Sequence, residues 1–443
     1  MHLISLNIPD LLIPLWRGTF ECDTDDDKST WTWAVLTGTV WKDFGKAITA
    51  TTPHLPGFFD RPPRNPAEKI NSGYKAWEYT LLLYGIGPLV LHNVLPLFYW
   101  QHFCKLVGAV RIISQHNITR KELQVAARLF VEFIEEFEQL YYQRRIDRIH
   151  FVRQSIHALR HYANEVATKG PLICASQWTM ERTIGNIVGE IRQPSNPYSN
   201  LAQRAIRRAQ HNSLMVMIPT LDPDYGQPLF LRWSKDLGNG YALLKLQERS
   251  RHATTFAEGS TIKTFLDAHY PHSPEYAFFD PHWCFRVCRW ARLRLPNGQT
   301  CCSVFSRRET RANAQRARNV KVCMSLAPSY ILTTLYFAEV LFFFEIRTHP
   351  DVHALEPLAL VTIYSPPDRA LLWDSSDTFY SCTHHGEVGL RVVKVPSIQS
   401  VVAMVPHTLA GEERFYMFEK PGMDLANLGG ILWDEDDEDH QPT

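Results

Sequence analysis

Between Tyr79 and Cys104 the chain carries no Asp, Glu, Lys or Arg. Such a run has to leave water, either across a bilayer or inside a protein core. It is long enough to span, yet Gly85, Gly87, Pro88, His92, Asn93 and Pro96 fall in its middle. Glycine and proline interrupt a helix, and buried polar side chains need partners. The run is therefore read as two buried helical pieces with a break between them, and not as a membrane span. Around it lies ample material for a core. The 443 residues are 45% hydrophobic and 21% charged, a balance that suits a folded protein of two to three domains. Nine scattered cysteines, an odd number, do not form a disulfide framework. With Pro9 and Asp10 early and no basic leader, the expectation is a nuclear or cytoplasmic protein, not a secreted one.

Upstream, Leu3 to Arg17 reads as a strand end or helix start, Glu21 to Asp27 as a solvated acidic loop, and Trp31, Trp33 and Trp41 as core. The segment Pro53 to Pro66 is a loop by its prolines. Ile118 to Tyr142 is the clearest helix. Thr119 with Glu122 makes a capping box, and Leu123, Ala126, Phe130, Phe133, Phe137 and Tyr141 recur at three and four. A basic helix is expected next, from Arg144 to Tyr162, carrying Arg144, Arg145, Arg148 and Arg153. His157 and His161 share a face there, but no third ligand completes a zinc set.

From Gly170 to Pro197 the sequence reads GPLICASQWTMERTIGNIVGEIRQPSNP. Ile184, Ile187, Val188 and Ile191 come after Glu181 at helical spacing, which places Glu181 in a first turn, where the helix dipole favours a carboxylate. A second amphipathic helix, Asn200 to Ser213, carries Arg204, Arg207 and Arg208. From Arg144 to Arg208 there are eleven Lys and Arg against four acids, Asp147, Glu165, Glu181 and Glu190. From Arg286 to Lys321 there are ten against one, Glu309. Basic blocks in a chain of zero net charge fit an anionic partner such as DNA. Arg144, Arg145, Arg148, Arg153, Arg182, Arg192, Arg204, Arg207 and Arg208 are the candidate phosphate contacts.

The GP…ER…G block resembles the one near the end of the catalytic region of CACTA (En/Spm-type) DNA transposases, in the versions found in mushroom-forming fungi. KINSGYKAWEYTLLLYGIGP is the second-best match, and the likeness covers most of the chain more weakly. The family has an RNase H-like core with a DDE carboxylate triad holding two Mg²⁺ ions, which activate water or a 3′-hydroxyl against a phosphodiester. The resemblance makes Glu181 the third acid, placed after a helical insertion, with Glu78 a weaker candidate whose position beside the uncharged run could raise its pKa. Glu78 capping or pairing at the start of a buried helix is the alternative. Met1-His2-Leu3-Ile4 resembles the residues just after the family's second catalytic Asp, which would put His2 beside the metal and leave two acids outside the chain. That implies DNA binding without cleavage by this chain alone, Mg²⁺ only if the full triad were assembled, and the missing N-terminal part as a possible partner. It also predicts exposed apolar surface around residues 3 to 16. The alternative is a host-recruited scaffold of transposon origin for nucleic acid or protein.

After a linker near Pro219 to Gly226 the pattern changes. Thr261 to Tyr270 reads as a helix, RLRLPNGQTCCSVF as a hairpin, and AEVLFFFEIRTH, LALVTIYS, VGLRVVKV and ERFYMFE as strands. Cys284, Cys288, Cys301, Cys302 and Cys323 read as structural thiols. The expected fold class is α+β: a mainly helical half with a partial RNase H-like core, then a β-rich barrel or sandwich. The expected divisions are 1–218, 219–280, 281–425 and an acidic tail, 426–443.

Overall fold

A computed structural model describes residues 2–59, 61–171, 176–191, 195–222, 234–246, 248–279, 284–306, 315–325, 333–351 and 353–420. They fall into two compact units, Ala175–Arg232 and a larger one made of His2–Cys174 with Trp233–Thr443. The fold is mixed α+β, with a mainly helical N-terminal half and sheets in the C-terminal part.

The larger unit begins with helix α1 (Pro9–Trp16), which has proline at its first position, where no N–H is needed. Ile8, Leu11, Leu12, Ile13, Leu15 and Trp16 are all buried in the main hydrophobic core. This corrects the expectation of exposed apolar surface here: partners from within the chain cover these side chains. Helices α2 (Gly38–Ala50) and α3 (Pro66–Lys69) come next. Trp31, Trp33 and Trp41 are core residues, as expected.

The uncharged run is helical in pieces: α4 (Ala76–Thr80), a π-helical stretch Leu81–Ile86, α5 (Gly87–Leu91), then α6 (Leu97–Ile113). The break falls after Leu91, with His92 extended and Asn93 left-handed at φ 61°. Glycine is required at Gly87, where a Cβ would lie 2.8 Å from the Phe103 ring. Among the described residues no helix is long and apolar enough to cross a membrane.

Helix α7 (Arg120–Phe137) starts on the expected capping box, with Thr119 accepting from the Glu122 N–H and Glu122 accepting from the Thr119 N–H. Ala126, Phe130, Phe133, Phe137 and Tyr141 are buried. The continuous basic helix expected next is absent. Gln143 and Arg144 are left-handed at φ 55° and 54°, and the backbone is extended at Arg145 and again at Arg153. These breaks divide the segment into a 3-10 turn, Ile146–Phe151, and a short helix α8 (Gln154–Leu159), before α9 (Tyr162–Lys169).

The C-terminal part begins with strands β1 (Ser234–Gly238), β2 (Tyr241–Leu246) and β3 (His252–Ala253), followed by an α-helix over Phe256–His269. Then come β4 (Arg286–Val287), β5 (Trp290–Arg294), β6 (Thr300–Cys302), β7 (Asn319–Ser325), β8 (Thr333–Arg347) and β9 (Leu355–Ile363). β10 (Tyr380–Cys382), β11 (Leu390–Lys394), β12 (Ile398–Val401), β13 (Ala403–Leu409) and β14 (Glu412–Phe418) complete the set. Nine of these strands form one antiparallel sheet, in which β8 holds β9 along one edge and β7 and β5 along the other. Phe342, Phe344 and Ile346 of β8 pack with Ile262 and Leu266 of the helix, while Val340 and Phe343 belong to a cluster with Leu293 and Val322. Two covered faces explain the consecutive apolar residues 340–344 in β8. The β5–β6 hairpin forms as expected. The sheet is open, and among the described residues no barrel closes.

A separate sheet, β10-β14-β13, gives Ala403, Val405, Tyr416 and Phe418 to the main helical core. Arg111 of α6 ties it there, donating to Tyr416 Oη at 2.7 Å and to the carbonyl of Thr378 at 2.9 Å. The larger unit thus joins residues far apart in sequence in one core.

The smaller unit contains two further helices, Trp178–Glu190 and Pro197–Met217. Both match the expected helices, with Glu181 in the first turn of the former. Their apolar residues Met180, Ile184, Val188, Ile206 and Leu214 are exposed.

Candidate nucleic-acid interface

The candidate arginines separate by where their charge goes. Arg148 is 1% exposed, and its guanidinium donates to both Asp26 carboxylate oxygens, Nε to Oδ2 at 2.8 Å and Nη2 to Oδ1 at 2.5 Å. Its Nη1 donates to Gln143 Oε1 at 2.6 Å, and Trp31 Nε1 donates to Asp26 Oδ2 at 3.1 Å. Burial would raise the Asp26 carboxyl, but the hydrogen bonds from Arg148 and Trp31 and the charges of Arg148 and Arg145 outweigh it and hold it below its ordinary value. Sealed from solvent and held by Asp26 and Gln143, the Arg148 guanidinium is out of reach of a phosphate, which corrects its assignment as a DNA contact. Arg145 is half-buried, paired with Asp147 and with Asp26. Arg153 lies over the Phe20 ring and donates to Asp10 at 2.8 Å. Arg144 is exposed, on the left-handed turn.

The helix Pro197–Met217 differs. None of its residues is buried, and none is acidic. Arg207 and Arg208 are exposed and Arg204 is half-exposed. Their spacing of three and four places Arg204 on the same face as the other two. Arg208 pairs with Glu190 of the neighbouring helix. Gln203, Gln210, His211 and Asn212 add hydrogen-bonding groups along the same helix. Arg182 is exposed beside Glu181, and Arg192 lies outside the described residues.

The acids expected to be catalytic fare differently from each other. Glu78 is fully buried and accepts from the Arg64 backbone N–H at 3.1 Å, Arg64 Nε at 2.8 Å and Nη2 at 2.7 Å, and the Lys75 N–H at 2.8 Å. Burial would raise its pKa, but those hydrogen bonds and the Arg64 charge bring it below the ordinary value, opposite to the raised pKa expected of a poised acid. Glu78 is a capping and pairing residue. Glu181 is exposed in the smaller unit, and His2 is exposed at the first helical turn of the larger one. Among the described residues no three His, Cys, Asp or Glu side chains converge as a metal site. His157 and His161 meet at 3.2 Å between their Nε2 atoms, at the surface. Cys301 and Cys302 are buried, and Cys284, Cys288 and Cys323 are half-buried.

The second basic block is answered in part by acids from elsewhere. Arg289 donates to Glu248 at 2.6 Å, Arg318 approaches Glu339 at 2.7 Å, and Lys321 lies 3.0 Å from Glu419. Arg307, Arg308 and Arg311 lie outside the described residues. The residue that sequence reasoning missed is Asp26. It sits in an acidic run that reads as solvated, and its partner Arg148 is 122 positions away. The chain matches no family model, no curated protein and no solved structure.

Proposed function

We propose that this chain is a transposase-derived DNA-binding protein that does not cut DNA by itself. The observation that carries the reading is the helix Pro197–Met217: twenty-one residues without an acid, none of them buried, presenting Arg204, Arg207 and Arg208. Phosphate contacts of this kind supply affinity independent of sequence and release counterions as they form. An exposed basic helix also has the dimensions to lie along a duplex groove. The resemblance to CACTA transposases calls for three converging acids, and among the described residues no three His, Cys, Asp or Glu side chains gather as a metal site. One carboxylate does not hold two divalent ions against their mutual repulsion, so binding is the activity proposed, with Mg²⁺ entering only alongside a partner that brings the other two acids.

The alternative is a scaffold of transposon origin that engages protein. Exposed Met180, Ile184, Val188, Ile206 and Leu214 favour it, since contiguous apolar surface marks interaction sites. Binding of a fluorescein-labelled 20-base-pair duplex decides between them. The DNA reading expects affinity that falls steeply with salt and weakens when Arg204, Arg207 and Arg208 are replaced by alanine. Absence of binding at low salt leaves the scaffold. Mg²⁺-dependent nicking by the purified chain, abolished in Glu181→Gln, would refute the non-cutting part of the proposal.

A further inference from the structure

We propose that a cleft on the larger unit, between α6, the end of α7 and a short helix at Arg369–Asp374, docks an arginine-containing segment of a partner protein. The cleft encloses about 380 Å³ and is lined by Phe98, Gln101 and Lys105 of α6, Glu136 of α7, and Trp373 and Asp374, with Gln139, Leu140 and Ser376 completing it. Phe98, Gln101 and Lys105 succeed one another at three and four, so one face of α6 forms a wall.

Two features set this cleft apart from ordinary surface. The first is its pair of outward aromatics: Trp373 is 86% exposed and Phe98 71%. A tryptophan normally turns its area inward. Trp373 is held out by its short helix, which is fixed from both ends. Leu371 packs on the main core, and Asp368 Oδ1 accepts the Leu371 N–H at 3.0 Å. Beyond the helix, Ser375 Oγ accepts the Phe379 N–H at 2.9 Å. Between them Ser376 and Asp377 adopt left-handed φ of 51° and 58°, a conformation that is unfavourable for residues other than glycine.

The second feature is charge. Glu136 and Asp374 face one cation, Lys105, and that ammonium already lies against both Glu136 and Glu132, the latter at 3.4 Å. The cleft therefore has a surplus of negative charge between two aromatic faces. Planar guanidinium matches both: it stacks on indole or phenyl faces and forks onto a carboxylate, which an ammonium does less well. The side-chain carbonyls of Gln101 and Gln139 can accept its remaining N–H donors. A neutral sugar would also use aromatics and amides, but it would leave the surplus charge unanswered.

The test uses the full chain and a fluorescein-labelled octapeptide of alternating Arg and Ser, with alternating Glu and Ser as the control and a neutral N-acetylglucosamine tetrasaccharide as competitor. Anisotropy is expected to show salt-sensitive binding of the arginine peptide only. Trp373→Ala should weaken it about tenfold, and Asp374→Asn by a smaller factor. Trp373 is at the surface, so this variant should keep the parent thermal transition, which is checked alongside. The Arg204, Arg207 and Arg208 triple alanine should bind the peptide as the parent does, which separates this site from the DNA reading. No binding at millimolar peptide, an affinity unchanged by Trp373→Ala, equal binding of the glutamate peptide, or displacement by the saccharide would each overturn the proposal.

Discussion

Two sets of arginines that look alike along the chain do different work in the fold. Arg145, Arg148 and Arg153 come after an amphipathic helix and carry the spacing of a basic surface, as Arg204, Arg207 and Arg208 do. The first set meets acids from the beginning of the chain, Asp26 and Asp10, and Arg148 is sealed in the core by its pair. The second set lies on a helix that has no acid of its own and buries nothing. The difference teaches that a basic run stays available to an outside anion only where the fold leaves its guanidinium groups at the surface: Arg208 meets Glu190, yet Arg207 and Arg208 remain exposed while Arg148 is sealed. Asp26 decides the matter for Arg148 from 122 residues away.

The sharpest way to break this contrast is to remove Arg148. Arg148→Met strips the buried Asp26 carboxylate of its two-pronged partner, leaving Trp31 and the more distant Arg145, and unfolding by denaturant should show a loss of about 3 kcal/mol. Adding Asp26→Asn removes the stranded charge and should restore part of it. The triple alanine in the exposed helix should shift the same curve by less than about 0.5 kcal/mol per residue. Equal destabilisation by the two sets would remove the distinction.

Histidines extend the comparison. His102 is fully buried, with Nε2 2.9 Å from the Phe133 carbonyl, and among the described residues its Nδ1 has no partner. Burial pushes its pKa down to about 3, helped by the charge of Lys105 and opposed by the bond to Phe133. The folded state therefore keeps this ring neutral while the unfolded chain takes up a proton below about pH 6.5. Stability must fall as pH drops through that value and go on falling toward pH 3, by up to about 3 kcal/mol at pH 4. His102→Phe should flatten that slope in a urea titration against pH.

A smaller effect tests the local reading of the chain. Thr119→Ala removes the side-chain acceptor of the α7 capping box and should lower stability by about 1 kcal/mol in the same titration.

Short-range physics was legible throughout. The capping box at Thr119, the broken uncharged run, the tryptophan core, the β5–β6 hairpin and the first turn at Glu181 are set by spacing and breakers within a few residues. What escaped depends on contacts between distant segments. The resemblance predicts that the apolar residues of α1 lie open, yet the core that includes α6 and α7 receives them. Asp26 was hidden in an acidic run, because nothing nearby marks which of several acids turns inward. The basic helix expected from Arg144 to Tyr162 is interrupted by left-handed Arg144 and by extended backbone at Arg145 and Arg153, none of which carries a glycine or proline signal. The β-rich part was legible as strands, while its open sheet depends on the pairing of β8 with three partners.

The reading proposed here is that the arginines of the exposed helix Pro197–Met217, and not Arg145, Arg148 and Arg153, meet phosphate. Its most direct test is the salt dependence of duplex DNA affinity for the parent, for the Arg204, Arg207 and Arg208 triple alanine, and for Arg153→Ala. Each phosphate contact contributes about 0.9 to the slope of log affinity against log salt. The account predicts that the triple variant lowers the slope by about 2 to 3 and that Arg153→Ala leaves it alone. An unchanged slope in the triple variant, or an equal drop in Arg153→Ala, would contradict it.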